Sequence, residues 1–149
     1  MFMKFLRNKI YKQLLFEFNF FDDPTLFVNQ DTFKNNRKKI VFKVSNNFVE
    51  LLWKNKSIGS FLFKNIENDN DKPKVYYISN LSITSIHRKQ GLAAIMLQKF
   101  IEVCKSKNVV ALELDVETHN AAAIGLYNKI GFKEIKQNDN AIRMRYILQ

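Results

Sequence analysis

The 149-residue sequence is poor in the residues that build disulfide-linked, metal-bound and low-complexity proteins. Its one cysteine and two histidines exclude an internal disulfide and a Cys/His metal cluster. Four glycines and two prolines are too few for flexible linker segments. No apolar run reaches the roughly 18 residues that a membrane-spanning helix needs. These absences predict a reduced, metal-free protein of the cytoplasm without a transmembrane segment.

The chain length predicts a single domain covering residues 1–149, because a chain of this size buries about two-thirds of its unfolded surface. A composition of 46% hydrophobic and 26% charged residues is globular. Within that domain, residues 1–38 are predicted to form a divergent helical region, with Phe21 to Asn36 a loop or short helical piece. We expect its first helix to pack on the domain's own sheet rather than on a membrane surface or a partner. Its apolar positions, at helical spacing opposite a basic face, are Met3, Leu6, Ile10 and Leu14.

The net charge of +10 and the isoelectric point near 9.7 indicate a basic surface. Such a surface suits an anionic ligand, an acidic surface or nucleic acid, and contact with a ribosome falls in the same class. Charge alone does not choose among these partners. It also leaves open whether the chain is a monomer or a homodimer.

Hydrophobic periodicity predicts strands in the first half of the chain and helices alternating with strands in the second. This order predicts an α/β (α+β) domain with a mixed, mostly antiparallel sheet, a central β-α-β crossover and helices on both faces. The predicted strands are 40–45, 48–53, 58–66, 74–83, 109–116, 132–136 and 141–148, and the predicted helices are 90–107 and 120–130. Asn80 is predicted to be a local irregularity in its strand, and Cys104 a small core side chain rather than a nucleophile.

The stretch "HRKQGLAAIML" connects the strand that ends at Ile83 to a helix. The first turn of a helix carries unpaired backbone N–H groups and about half a positive charge, so it binds phosphate well. Gly91 and Ala93 leave room for a phosphate to approach the backbone, and Arg88 and Lys89 add full positive charges. We therefore predict a phosphate site here, in preference to a glycine that only eases the turn.

Two further stretches carry chemistry. Asn120 and Tyr127 are seven residues apart in "NAAAIGLYNKIGF", almost two helical turns, so both side chains project from one face. Alone, Asn120 would be read as an N-cap and Tyr127 as a core aromatic. In "LELDVET", Glu113 and Asp115 share a face with Glu117, opposite an apolar face. This acidic face predicts local preference for a cationic acceptor, unless the strand is merely half-exposed.

The pattern of Arg88, Gly91 and Ala93, preceded by "NLSI" and followed by "NAAAIGLYNKIGF", resembles the GCN5-related N-acetyltransferase (GNAT) family. The resemblance implies a GNAT fold, acetyl-CoA as cosubstrate without a metal, and an acetyl-CoA-binding core over residues 74–136. The cofactor-binding residues that it implies are Leu81, Ile83, Arg88, Lys89, Gln90, Gly91, Leu92, Ala93, Asn120 and Tyr127. Amides near Ile83 would polarise the thioester carbonyl, and Asn120 would hold the pantetheine arm.

The continuous stretch "LELDVETHNAAAIGLYNKIGF" looks most like the bacterial ribosomal-protein N-terminal alanine acetyltransferases. That likeness implies direct attack by an amine in a ternary complex, with Tyr127 as acid toward the CoA sulfur and Asp115 as base through a water. Glu113 is the reserve base and His119 a weaker one. The expected acceptor is a peptide N-terminal α-amine. Two alternatives stay open, namely a small amine such as a polyamine or aminoglycoside, and a non-catalytic module that binds CoA or RNA.

Overall fold

The computed structural model describes residues 19–20, 26–33, 36–89 and 91–148, with side chains from residue 41 onward. The predicted helix at Met3 to Leu14 lies outside these residues, as does Gln90. The described elements are nine strands and two helices: β1 (Asn19–Phe20), β2 (Leu26–Phe33), β3 (Asn36–Val44), β4 (Phe48–Trp53), β5 (Lys56–Asn65), β6 (Lys74–Ile83), α1 (Leu92–Lys105), β7 (Val109–Glu117), α2 (Ala121–Ile130), β8 (Lys133–Gln137) and β9 (Ala141–Ile147). A short 3-10 turn, Ser85–His87, precedes α1.

The chain divides into two compact units, and the single domain over residues 1–149 stays a prediction. Unit 1 comprises the described residues up to Leu62 together with Asn80–Leu97, and unit 2 comprises Phe63–Ser79 and Gln98–Gln149. In unit 1, β1 to β5 pair in antiparallel succession. The β4–β5 turn has Lys54 and Asn55 at positive φ, the geometry of a two-residue I′ hairpin. Pairing therefore resumes at Lys56, two residues earlier than predicted.

The prediction of a loop or short helix over Phe21 to Asn36 is wrong for Leu26–Phe33, which forms β2. The described part of region 1–38 therefore forms β-strands rather than helices. Each residue of β2 pairs with one of β3, for example Val28 with Val41. The fragments "LFV" and "TF" are rich in the β-branched and aromatic residues that favour strands. Its partner β3 begins at Asn36, directly after it in the chain, but the polar residues Asn29, Gln30 and Asp31 interrupt the apolar pattern of β2.

Unit 2 contains the parallel strand pair of the predicted crossover. β6 pairs with β7 in parallel, β9 pairs with β7 antiparallel, and β8 pairs with β9 antiparallel. This confirms the predicted α/β class with a mixed sheet. Its core includes Ile78 on β6, Leu112 and Leu114 on β7, and Phe100 and Cys104 on α1, all with at most 2% exposure. Burial raises the pKa of the Cys104 thiol to about 12, as expected of a core side chain rather than a nucleophile.

Helix α2 has well-defined caps at both ends. The Ala123 N–H donates to Asn120 Oδ1 at 3.1 Å, so Asn120 is the N-cap. At the other end Gly131 has φ 124°, and the N–H groups of Gly131 and Phe132 both donate to the Tyr127 carbonyl. These bonds fix the turn of α2 that carries Tyr127.

We expect Gly131→Ala to lower the free energy of unfolding by about 1–2 kcal/mol, because alanine is strained at this φ. The added Cβ would also lie 3.1 Å from Tyr146 Cε2. Gly125→Ala is the matched control, since a Cβ there meets no described atom within 4 Å. Because alanine favours the helix interior more than glycine does, Gly125→Ala should raise the free energy of unfolding by about 0.5–1 kcal/mol. Urea denaturation of both variants measures the difference, and equal stabilities would contradict the assigned cap.

Candidate functional site

The corner between β6 and α1, residues 84–93, belongs to unit 1. Two of its residues have a positive φ angle. Lys89 has φ 61° and Gly91 has φ 81°. The Ile95 N–H donates to the Gly91 carbonyl at 3.1 Å, so the helical ladder begins at Gly91. The amides of Leu92 and Ala93 come before any i−4 partner of the helix and therefore point out of its N-terminus. Free amides of this kind bind phosphate, and the anion-binding role of this turn stays a prediction.

Arg88 does more in this corner than supply charge. Its Nε donates to the Ile83 carbonyl at 2.9 Å, which ties the corner to the end of β6. The Arg88 and Lys89 side chains are exposed, so both positive charges remain beside the helix N-terminus. The sequence predicts the charge of Arg88 but not this bond to β6.

A second set of contacts in unit 1 braces the same corner. The Thr84 N–H donates to the Ile58 carbonyl at 2.9 Å, and Thr84 Oγ1 lies 2.7 Å from His87 Nδ1. The His87 ring meets Trp53 edge-on, with centroids 5.3 Å apart. These residues carry no sequence signal of their own, because nothing local links positions 53, 58 and 87. Trp53 is the sole tryptophan, so its fluorescence reports on this corner.

Leu81 and Ile83 lie on β6 beyond Asn80. Asn80 has φ 56°, which confirms the predicted irregularity. The β6–β7 ladder runs from Lys74 to Ile78, so it ends before this residue. Both predicted contact residues are half-buried. Their stretch of backbone thus continues past the ladder toward the corner.

Tyr127 lies in unit 2 and is only 8% exposed. Its ring packs edge-on against Phe132, with centroids 5.8 Å apart. Burial raises the pKa of the hydroxyl above its usual value of 10.0, so it keeps its proton throughout the neutral range. Among the described residues the hydroxyl has no recorded hydrogen-bond partner. The group is a protonated donor without an internal acceptor in this part of the chain.

Glu113 and Asp115 occupy the predicted face of β7, but both form ion pairs. Arg143 donates to Asp115 from Nε at 2.5 Å and from its NH2 group at 2.9 Å, and to Glu113 from NH1 at 3.2 Å. Arg145 donates to Glu113 from Nε at 2.8 Å and also from its NH2 group. The Tyr77 hydroxyl donates to Asp115 at 2.9 Å. The hydrogen bonds from Arg143 lower the pKa of the Asp115 carboxyl below its ordinary value.

The predicted acidic face is therefore largely neutralised by arginines that the sequence analysis did not name. The alternation "AIRMRYIL" places Arg143 and Arg145 on one face of β9, and strand pairing sets them opposite Asp115 and Glu113. Only the pairing of β7 with β9 reveals this. The weaker base candidate, His119, lies 3.0 Å from Glu117 in an exposed pair.

A cavity of about 300 Å³ opens on this ion-paired face of unit 2. Its lining combines charged side chains with residues from the β8–β9 hairpin. The lining residues are Glu113, Asp115, Ile135, Lys136, Asn138, Ala141, Arg143 and Arg145. The described residues contain no group of three His, Cys, Asp or Glu placed to hold a metal ion. Neither described helix has the length and apolar character needed to cross a membrane.

Comparison with known proteins identifies related chains. The profile of the Acetyltransferase (GNAT) family matches residues 8–132. The ribosomal protein bS18-alanine N-acetyltransferase of Escherichia coli (strain K12) is 36% identical over 55 residues, which are 37% of this chain. The match also spans only 37% of that relative's length.

Solved structures share the fold. The crystal structure of the ribosomal-protein-S18-alanine N-acetyltransferase from Escherichia coli superposes with a TM-score of 0.59 at 24% identity, covering 68% of each chain. The PaiA N-acetyltransferase from Thermoplasma acidophilum, solved in complex with coenzyme A, gives 0.59 at 19% identity, covering 67% of this chain and 59% of that one.

Proposed function

Because the chain belongs to the acetyltransferase (GNAT) family, we propose that it transfers an acetyl group from acetyl-CoA to the N-terminal α-amine of a peptide or protein. The observation that carries the proposal is the corner at Gly91. There, Gly91 has φ 81° and directly precedes α1. The charged residues Arg88 and Lys89 come before it in the chain, and the free amides of the helix N-terminus come after it. A turn of this kind binds phosphate groups, and acetyl-CoA carries a diphosphate.

In this proposal the corner holds the diphosphate of acetyl-CoA. The amides of Leu92 and Ala93 donate to phosphate oxygens, while Arg88, Lys89 and Gln90 add charge and hydrogen bonds. Leu81 and Ile83 supply the backbone that polarises the thioester carbonyl. The Asn120 side-chain amide holds the pantetheine arm through Nδ2, since Oδ1 is used in the N-cap. No metal takes part in the proposed chemistry.

The reaction joins the acceptor nitrogen to the acyl carbon and breaks the carbon–sulfur bond. The neutral amine attacks the thioester carbonyl, and the resulting oxyanion is stabilised by backbone N–H donors. As the bond to sulfur breaks, the Tyr127 hydroxyl gives its proton to the thiolate and regains one from solvent. The nitrogen passes its extra proton through a bridging water to the Asp115 carboxylate. Glu113 is the reserve for that role.

The choice of an α-amine acceptor rests on two supports. The related Escherichia coli enzyme is named for acetylating an alanine, whose only amine is the α-amine. Arg143 lowers the pKa of Asp115, which leaves that carboxylate a weak base. An α-amine needs little help, because its reference pKa is about 7.7–8.0, whereas that of lysine is about 10.4.

We expect an alanine-starting peptide with a free N-terminus to be acetylated, with kcat/KM rising as pH increases and levelling off above about pH 8. The rise follows deprotonation of the amine, because Asp115 is already ionised well below that range. Mass spectrometry of the peptide together with release of CoA thiol measures the reaction from pH 6 to pH 9.5.

The control is the same peptide with a blocked N-terminus and one lysine. Acetylation of that peptide or of a polyamine in preference to the free α-amine would contradict the proposed acceptor. A module that binds CoA or RNA without catalysis would release no thiol with any amine. An RNA-binding module would also lose affinity steeply as salt is added.

A further inference from the structure

The cavity on the ion-paired face of unit 2 carries more positive than negative charge. Two carboxylates line it, Glu113 and Asp115, against the three cations Lys136, Arg143 and Arg145. At neutral pH the lining has one net positive charge. This sign is opposite to the one that the strand "LELDVET" predicts by itself.

Both carboxylates already accept hydrogen bonds from protein side chains. The Glu113 side chain is only 5% exposed and receives hydrogen bonds from Arg143 and Arg145. Both oxygens of Asp115 are bonded by Arg143, and the Tyr77 hydroxyl also donates to it. A buried carboxylate released from its arginine would be costly, so these pairs persist when a ligand enters. The acidic groups therefore have little capacity left for a cationic ligand.

Two of the cationic groups keep hydrogen-bond donors that could bind a ligand. Lys136 is exposed at the rim on β8, and no ion pair to a described carboxylate is recorded for it. Arg145 binds Glu113 through Nε and one NH2 group, and 41% of its side chain is exposed. An anion in this cavity would meet the Lys136 ammonium and the free edge of the Arg145 guanidinium. Its volume of about 300 Å³ suits one or two side chains rather than a larger ligand.

We propose that this cavity selects acceptors that carry a carboxylate, namely peptides with Asp or Glu within a few residues of the acetylated N-terminus. The inference rests on the proposed function, in which Asp115 lies beside the acceptor amine and the cavity around it takes the following residues. Lys136 is the specificity-determining residue, and Arg145 assists it. A polyamine would bring further positive charge to a cavity whose carboxylates are already paired.

The test uses a series of peptides that start with alanine and differ at one position, which is Glu, Gln or Lys, placed second, third or fourth. For the full-length protein we expect kcat/KM to be roughly five-fold higher for the best Glu peptide than for its Gln counterpart, and lower again for Lys. The preference should appear mainly in KM and should shrink as salt is added.

Lys136→Glu should reverse this order, so that the Lys peptide has a higher kcat/KM than the Glu peptide. Lys72→Glu is the matched control, because it makes the same charge change in an exposed loop of unit 2 that does not line the cavity. It should keep the preference for Glu.

Equal rates for the Glu, Gln and Lys peptides, or an unchanged order in Lys136→Glu, would overturn the inference while leaving the α-amine acetylation itself established. If no peptide were acetylated and no thiol released, the proposed function would fail instead. Calorimetric binding of the same peptides to the protein would then decide the inference separately: binding of the Glu peptide that Lys136→Glu abolishes would support it, and equal or absent binding of Glu and Gln peptides would overturn it.

Discussion

Replacing Tyr127 with phenylalanine is expected to lower kcat for acetyl transfer by about 100-fold, the usual contribution of a positioned general acid. The substitution removes only the hydroxyl oxygen and keeps the ring that packs on Phe132. Since burial keeps the Tyr127 hydroxyl protonated, the wild-type group is ready to donate when the sulfur leaves. Release of CoA thiol in the presence of an α-amine peptide measures the effect.

Tyr146→Phe is the matched control for this prediction. Tyr146 also contacts the Phe132 ring, with centroids 5.6 Å apart, and loses the same atom in the variant. It should retain nearly full turnover. The affinity of Tyr127→Phe for CoA should stay close to that of the wild type, because in the proposed reaction the hydroxyl acts on the sulfur only as it leaves. Unchanged turnover in Tyr127→Phe would show that another donor protonates the thiolate.

Replacing Gly91 with alanine is expected to weaken CoA binding by about 100-fold. Alanine is strained at φ 81°, so the corner would relax to a conformation in which its amides no longer converge. Loss of two hydrogen bonds to a charged group, at roughly 1.5 kcal/mol each, gives this factor. Isothermal titration calorimetry measures the affinity, and Trp53 fluorescence checks that the rest of the corner is intact.

Two comparisons make the Gly91 prediction specific. Gly125→Ala adds the same methyl group within α2 and should bind CoA normally. S-Acetyl-pantetheine, which lacks the diphosphate, should be turned over equally by Gly91→Ala and wild type. If Gly91→Ala kept wild-type affinity for CoA, the diphosphate would not be held by this turn.

Elements with a continuous local signal were predictable from sequence, whereas a strand with polar residues in its middle was not. β4 and β6 have the predicted bounds because both strands are rich in apolar and aromatic residues and are flanked by polar loop residues. The caps of α2 at Asn120 and Gly131 follow from residue type alone. β2 is not predictable in this way, because Asn29, Gln30 and Asp31 interrupt its apolar residues and only its pairing with β3 shows it to be a strand.

The candidate site divides in the same way. Gly91 and its neighbours form a contiguous motif, and the structure places Gly91 at φ 81° at the start of α1. The pairing of Asp115 with Arg143 joins positions 28 residues apart in sequence and depends on the register of β7 and β9. The sequence therefore predicts the carboxylates but gives the wrong sign for the charge that surrounds them.

The most direct measurement of the central claim is a crystal structure of the full chain grown with millimolar CoA. We expect the diphosphate oxygens to lie about 3 Å from the amide nitrogens of Leu92 and Ala93, with Arg88 alongside. CoA bound at another surface, or a corner left empty and closed at that concentration, would contradict the account.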